Sequence, residues 1–265
     1  MASPIPQDRL VPAEHALVVI DMKEYSKLPE AKMAPVRSDV DDILATVLAE
    51  CGLKDPREEA NAFKDRGDGA ILVFPAPYLA RLVDPLLGRL NAALTRYDQQ
   101  RLSSAPAVYL RASVHVGPLS LPDHRGDAIN DACRLVDSQE VRGALAAAVE
   151  GGAFLAVALS ETAYRRTVRA GRTPGLDRQH FLETLAHVSD KPHFTEPCRL
   201  HVPGLTGKAV LPHLVDAPPP ASQPASAPTA APAAGSGGIF QFHEQVVDST
   251  IANHIGKLRI DRRQR

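Results

Sequence analysis

The chain has 265 residues, 44% of them hydrophobic and 23% charged, with a formal net charge of −1. This composition is ordinary for a globular protein and provides no electrostatic basis for binding nucleic acid or an anionic membrane. No apolar run approaches the ~20 residues that span a bilayer, and the N-terminus lacks a secretory-signal pattern. Three cysteines without a CxxC pair favour reduced thiols, so we expect a cytoplasmic protein without a membrane span.

The first half of the chain predicts a strand, a helix, a hairpin and a long helix. These elements cover residues 15–21, 38–52, 60–65 with 70–75, and 78–100. In the first helix Ser38 resembles an N-cap and Gly52 a stop signal. Pro85 should kink the long helix or mark a late start, because proline cannot continue the backbone hydrogen bonds of a helix.

The second half predicts a strand, two helices, another strand, a helix and two weaker strands. These cover residues 107–117, 126–138, 139–149, 153–160, 160–171, 179–189 and 197–203. The order indicates an α+β domain of ferredoxin-like βααββαβ type. We expect its sheet to be mainly antiparallel and to carry helices on one face.

Composition divides the chain into four parts. An N-terminal extension (1–14) precedes the predicted domain (15–205). A Pro/Ala/Ser/Gly linker follows at 206–238 and contains no charge from residue 217 onward, so it cannot form a core. The last part, 239–265, is apolar again.

The C-terminal part resembles a tethered interaction motif. Its β-branched and aromatic residues alternate in IFQF and KLRI, which slightly favours a β motif over a helical stripe. A segment of this length cannot form a stable core alone. We therefore expect it to pair with a second copy or with a protein partner that provides a strand.

The RGDG turn of the hairpin raises a separate question. A tight reversal explains Gly67 and Gly69, because glycine tolerates positive φ, but it does not explain the acid between them. A functional role for Asp68 requires partner residues in other motifs of the chain. Four short motifs in order provide them: VVIDMKEYS (18–26), KDRGDG (64–69), LRASVHVGPL (110–119) and GDAINDACRL (126–135).

Together these motifs resemble the class III nucleotidyl cyclases across residues 15–205. The resemblance implies that Asp21, at the end of the first strand, and Asp68, at the hairpin tip, bind two divalent cations, Mg²⁺ or Mn²⁺. It assigns transition-state roles to Asn130 and to Arg134, one helical turn later. Such a site joins the ribose 3′-hydroxyl to the α-phosphate of a nucleoside triphosphate and releases pyrophosphate.

The resemblance also implies residues that bind the substrate. Lys64 and Asp123 match the positions that read adenine in adenylate-selective members. Tyr25 and Ser26 belong to the turn that faces the phosphates, and Lys191 aligns loosely with a lysine that binds the triphosphate. Each residue alone has an ordinary structural interpretation as a turn, cap or surface residue, and the pattern depends on their joint occurrence.

In the family, a head-to-tail dimer takes the metal aspartates from one subunit and the Asn/Arg pair and base-reading residues from the other, which implies that Lys64 and Asp68 serve different active sites. We therefore expect a homodimeric, soluble cyclase of adenylate type. Two alternatives remain: a cyclase for a pyrimidine nucleotide, and a catalytically weak signalling scaffold recruited through its C-terminal motif. Glu24, a carboxylate in the predicted phosphate turn, favours the scaffold.

Overall fold

The computed structural model describes residues 10–215, which form a seven-stranded sheet with helices. The strands are β1 (Glu14–Met22), β2 (Phe63–Asp65), β3 (Gly69–Pro75), β4 (Leu110–Pro118), β5 (Leu155–Ser160), β6 (Leu182–Val188) and β7 (Lys191–His201). The longer helices are α1 (Glu30–Glu50), α3 (Leu86–Gln100), α4 (Asp127–Asp137) and α5 (Gln139–Glu150). The shorter ones are α2 (Leu79–Val83), α6 (Glu161–Arg166), α7 (Gly207–Val210) and α8 (Pro212–Val215). No helix in this range is long and apolar enough to cross a membrane.

The sheet has the strand order β2-β3-β1-β4-β5-β7-β6. Every neighbouring pair is antiparallel except β4 and β5, which run parallel. This confirms the predicted α+β class with a mainly antiparallel sheet. Strand β1, in the interior of the sheet, is hydrogen-bonded on both sides, which places its C-terminal end next to the β2–β3 hairpin and to the start of β4.

Helices cover both faces of the sheet, so the expectation of helices on one face is wrong. Val18 of β1 packs with α1 and α3 on one face, whereas Leu17 and Val19 pack against α4 on the other. Helix α5 covers the same face as α4, over β5 and β7. A strand whose consecutive residues are all apolar is typical of a sheet buried on both sides.

The first helix begins earlier than predicted, at Glu30 instead of Ser38. Val36 is buried in line with Val40, so the apolar stripe continues toward the N-terminus past the residue that resembled an N-cap. The break predicted at Pro85 is present, because α2 ends before it and α3 begins directly after it.

The packed part of the chain continues past the predicted boundary at 205. Helices α7 and α8 occupy residues 207–215, which composition assigned to the linker, and Val210 is buried against the α5 side of the sheet. The uncharged stretch that motivated the linker begins only at residue 217. The remaining linker and the predicted C-terminal motif lie outside the described residues, as do residues 1–9.

Candidate functional site

The end of β1 and the tip of the β2–β3 hairpin lie in direct contact. The Met22 N–H donates to the carbonyl oxygen of Asp68 at 2.9 Å, and Asp21 lies opposite Gly69 in the ladder. The two glycines of the turn serve different purposes. Gly67 has φ = +81° in open space, whereas a Cβ on Gly69 would lie 1.9 Å from the Ile20 carbonyl oxygen. Close strand approach therefore brings the two predicted metal aspartates together.

We expect Gly69→Ala to destabilise the domain far more than Gly67→Ala. The first change requires β1 and β3 to separate, which should cost about 3–5 kcal/mol in unfolding free energy, at the severe end for single substitutions. The second requires only a left-handed backbone for alanine, about 1–2 kcal/mol. Urea unfolding of both variants measures the difference, and equal losses would contradict the close-approach explanation.

Asp21 is buried and held by an arginine that the sequence interpretation missed. Its side chain and that of Arg111, directly opposite on β4, are 8% and 9% exposed. The Arg111 guanidinium donates to Asp21 Oδ2 twice, through Nε at 2.9 Å and through Nη2. Arg111 Nη1 is buried without a partner in the described part of the chain. Burial raises the pKa of Asp21 above its ordinary value, and Arg111 opposes that rise.

Further charges surround this pair. The negative charges of Asp68 and Asp137 also raise the pKa of Asp21. Asp137, at the end of α4, lies 3.6 Å from Arg66 of the hairpin, and its carbonyl oxygen accepts from Arg142 of α5 at 3.3 Å. The end of β1 is therefore a charged, partly buried region where α4, α5 and the hairpin meet.

Replacing Arg111 by methionine should destabilise the fold in a pH-dependent way. The buried Asp21 carboxylate would lose its partner, which typically costs about 3–5 kcal/mol when the acid is ionised. Its folded pKa would rise further, so the variant keeps most of its stability below the ordinary value of 3.8 and loses it as the pH rises through the folded value.

Urea unfolding of Arg111→Met and wild type between pH 4 and pH 8 tests this direction. The difference in unfolding free energy should widen with pH. In Asp21→Asn/Arg111→Met that widening should disappear, because no acid remains to ionise at this position. A difference that does not change with pH would show that the cost comes from packing.

The turn after β1 contains the predicted phosphate-facing residues. Tyr25 and Ser26 lie in one turn of 3₁₀ helix, with Tyr25 half-buried and Ser26 exposed. Glu24 has φ = +59°, and its carboxylate accepts from Lys27 Nζ at 2.8 Å. The hydrogen bond from Lys27 lowers the pKa of Glu24, so the acid that had favoured the scaffold alternative stays ionised beside an exposed cation.

The Asn130 and Arg134 pair lies on α4, one helical turn apart as predicted. Asn130 is exposed, and the Arg134 guanidinium stands 5.3 Å from the centre of the Phe194 ring on β7 and 3.4 Å from Asp131. Within residues 10–215 Arg134 forms no ion pair with Asp21 or Asp68. Within one chain, the structure therefore does not unite these two groups of residues.

The remaining predicted residues fall in two places. Lys64 on β2 and Lys191 at the start of β7 are exposed, and both act on the half-buried Cys133 thiol of α4. Burial raises the pKa of Cys133, and these cations oppose the rise. Asp123 lies apart, in the loop between β4 and α4, 3.7 Å from Arg125. The structure thus brings the two lysines near α4 and leaves Asp123 at an exposed loop.

The donors at the end of β1 fit a metal site that the substrate completes. Within residues 10–215 no group of three or more His, Cys, Asp or Glu side chains could hold a metal ion. Asp21 and Asp68 provide two neighbouring carboxylates, and Mg²⁺ commonly takes one or two carboxylates together with substrate phosphates. A cation would have to share Asp21 with Arg111, which already donates to Asp21 Oδ2.

The sequence contained one signal for Arg111. In LRASVHVG the polar residues Arg111, Ser113 and His115 alternate with apolar ones, which marks a polar face of β4. Asp137 and Arg142 gave no comparable signal, because they belong to ordinary amphipathic helices. Their position follows from the junction of α4 and α5 at the end of β1.

Solved structures of cyclases resemble the described fold. A bacterial light-regulated adenylyl cyclase superposes with a TM-score of 0.50 at 14% identity, over 80% of this chain and 58% of that one. The adenylate/guanylate cyclase/hydrolase from Silicibacter pomeroyi gives 0.48 at 18%, over 72% and 98%. A guanylyl cyclase domain from the fungus Blastocladiella emersonii gives 0.44 at 12%, over 71% and 96%. No family model and no curated protein matches the chain.

Proposed function

We propose that the end of β1 is half of a nucleotidyl cyclase active site. The chain has the fold of class III cyclase catalytic domains. The observation that supports the proposal most is the contact between the β1 end and the hairpin tip, which sets Asp21 beside Asp68. Two carboxylates at this place suit one or two divalent cations, Mg²⁺ or Mn²⁺, completed by a triphosphate.

The proposed reaction forms a bond from the ribose 3′-oxygen to the α-phosphorus and breaks the bond from that phosphorus to the bridging oxygen. Pyrophosphate leaves with that oxygen, and the hydroxyl proton passes to solvent. Divalent cations, when bound, favour loss of this proton and neutralise the phosphate oxygens. Asp21 and Asp68 would hold these cations and so position the reacting phosphate through them, and Arg111 would keep the Asp21 carboxylate in place.

We assign the groups on α4 to the active site of a second subunit. Arg134 would stabilise charge that grows on the phosphate, and Asn130 would orient the ribose. Stacking on Phe194 supports this role, because it fixes a guanidinium that is still partly exposed. Within residues 10–215 Arg134 is held against Phe194 and Asp131 and pairs with neither Asp21 nor Asp68. We therefore propose a homodimer with two shared sites, each completed by residues of both copies.

The test is product identification. Purified full-length chain is incubated with ATP, GTP, CTP and UTP in turn, with Mg²⁺ or Mn²⁺, and the products are identified by mass spectrometry. Cyclic AMP as the main product supports an adenylate cyclase, and a cyclic pyrimidine nucleotide supports the alternative specificity. Nucleotide binding without any cyclic product would favour the scaffold, which the Arg111 contacts to Asp21 also support.

Base selection gives a sharper prediction. If Lys64 donates to the base, Lys64→Glu should lower ATP turnover by about 10–100-fold, because a buried polar group left unpaired costs about 1–3 kcal/mol. Lys208→Glu is the matched control, an exposed lysine on α7 far along the chain. Steady-state rates with ATP and GTP measure the change. An unaltered preference between them would remove Lys64 from base recognition.

A further inference from the structure

A pocket lies at the end of the sheet opposite to Asp21 and Arg111. Its volume is ≈ 340 Å³, and three arginines, two glutamates and two aromatic residues line it between α6, β6 and β7. Arg111, with Asp21 of β1 opposite to it, lies near the start of β4. The start of β4 pairs with the start of β5, whereas the pocket lies beyond the end of β5, at Glu161. It also belongs to the face covered by α1 and α3, opposite to α4.

Arg199 lines this pocket and is fully paired. Its guanidinium bonds Glu161 at 3.0 Å and also bonds Glu183. It stacks on the Tyr164 ring, 4.8 Å from the ring centre, and Tyr164 contacts Phe181 edge to face at 5.5 Å. These contacts give the pocket a rigid floor of flat groups, in which the two glutamates and one arginine are already matched.

The rim carries positive charge that nothing in the described chain neutralises. Arg169 and Arg178 line the pocket and are exposed, and neither forms an ion pair within residues 10–215. Asp177, the acid next to Arg178, instead accepts from the Gln179 N–H at 3.0 Å and caps a turn. Two guanidiniums therefore face a concave surface without a counter-ion, in a chain whose overall charge is −1.

We propose that this pocket binds a nucleoside monophosphate or a ligand of the same chemistry, a phosphate joined to a planar ring. Arginine matches phosphate oxygens in geometry, and a phosphate has enough oxygens for both Arg169 and Arg178. The planar guanidinium of Arg199, supported from below by the buried Tyr164 ring, suits stacking by a planar base. The volume lies within the range of small-ligand pockets, about 300–1,000 Å³. This inference is independent of the proposed function.

Calorimetric titration of the full-length chain tests the proposal with 5′-AMP, adenosine and inorganic phosphate as probes. We expect 5′-AMP to bind at least about tenfold more tightly than either fragment, because each fragment lacks one half of the contacts. Arg169→Ala/Arg178→Ala should weaken 5′-AMP binding at least about tenfold, since two charge-assisted contacts are lost. Arg172→Ala is the matched control, an exposed arginine of the same segment outside the pocket.

A second variant distinguishes binding in this pocket from binding at the proposed active site at the end of β1. Asp68→Asn should leave this 5′-AMP binding unchanged, whether or not the chain proves to be a cyclase. Binding that Asp68→Asn removes and the double arginine variant retains would assign 5′-AMP to the end of β1 and overturn the proposal. Absence of binding up to about 1 mM would also overturn it. Phosphate binding as tight as that of 5′-AMP would overturn the role of the flat floor.

Discussion

Asp68→Asn is expected to reduce cyclase turnover at least about 1,000-fold while leaving the fold intact, because it removes a carboxylate that would hold the cations acting on the reacting phosphate. Asp68 is the cleaner of the two aspartates to test. Its side chain is half-buried and its backbone, which asparagine keeps, makes the contact to Met22. Asp21→Asn should reduce turnover as strongly, but it also leaves Arg111 buried without its carboxylate and should lower stability.

The control for this experiment is Asp42→Asn, which makes the same substitution at an exposed aspartate of α1. Initial rates at saturating Mn²⁺ and circular dichroism are measured for all three variants. Normal turnover of folded Asp68→Asn would remove it from the metal site. Equal losses in Asp42→Asn and Asp68→Asn would point to a general effect of the substitution.

Local sequence pattern predicted most of the elements that hold the candidate site. The strand before Asp21, the hairpin around Asp68 and the helix with Asn130 and Arg134 all follow from short-range periodicity and turn chemistry. Their joint occurrence in order also indicated the fold, which the structural likeness supports. The functional roles of these residues stay predictions.

The partners of Asp21 could not be predicted in the same way, because they depend on strand register. Arg111 lies ninety positions further along the chain. It contacts Asp21 only because the register of β4 against β1 places the two residues opposite each other. A shift of one residue would turn its side chain to the opposite face. The sequence marked a polar face on β4 but contained no information on which residue of β1 it would meet.

The error over helices on one face has a physical explanation in β1. The run LVVI is apolar at every position, and Leu17 and Val19 need a cover as much as Val18 does. Strands of this kind are buried on both faces, whereas a half-exposed strand alternates. Helices α4 and α5 provide the second cover, and they bring Asp137 and Arg142 to the end of β1.

Mixing two inactive variants is expected to restore activity if the proposed sites are shared between subunits. Asp68→Asn disables the half of each site that β1 and the hairpin provide, and Arg134→Ala disables the half that α4 provides. Random subunit exchange makes half of the dimers mixed, and each mixed dimer contains one intact site of two, so the recovered activity should be about a quarter of wild type. Initial rates before and after mixing, with exchange followed by differently tagged chains, measure the recovery.

The decisive control is a mixture of Asp68→Asn with Asp21→Asn. Both changes fall in the same half-site, so every site in such a mixed dimer lacks one aspartate, and no activity should return. Recovery in the first mixture alone supports shared sites. No recovery after proven exchange would mean that Asp68 and Arg134 serve one chain. The Arg134 guanidinium would then have to leave Phe194 and Asp131 and reach the end of β1 within a single subunit.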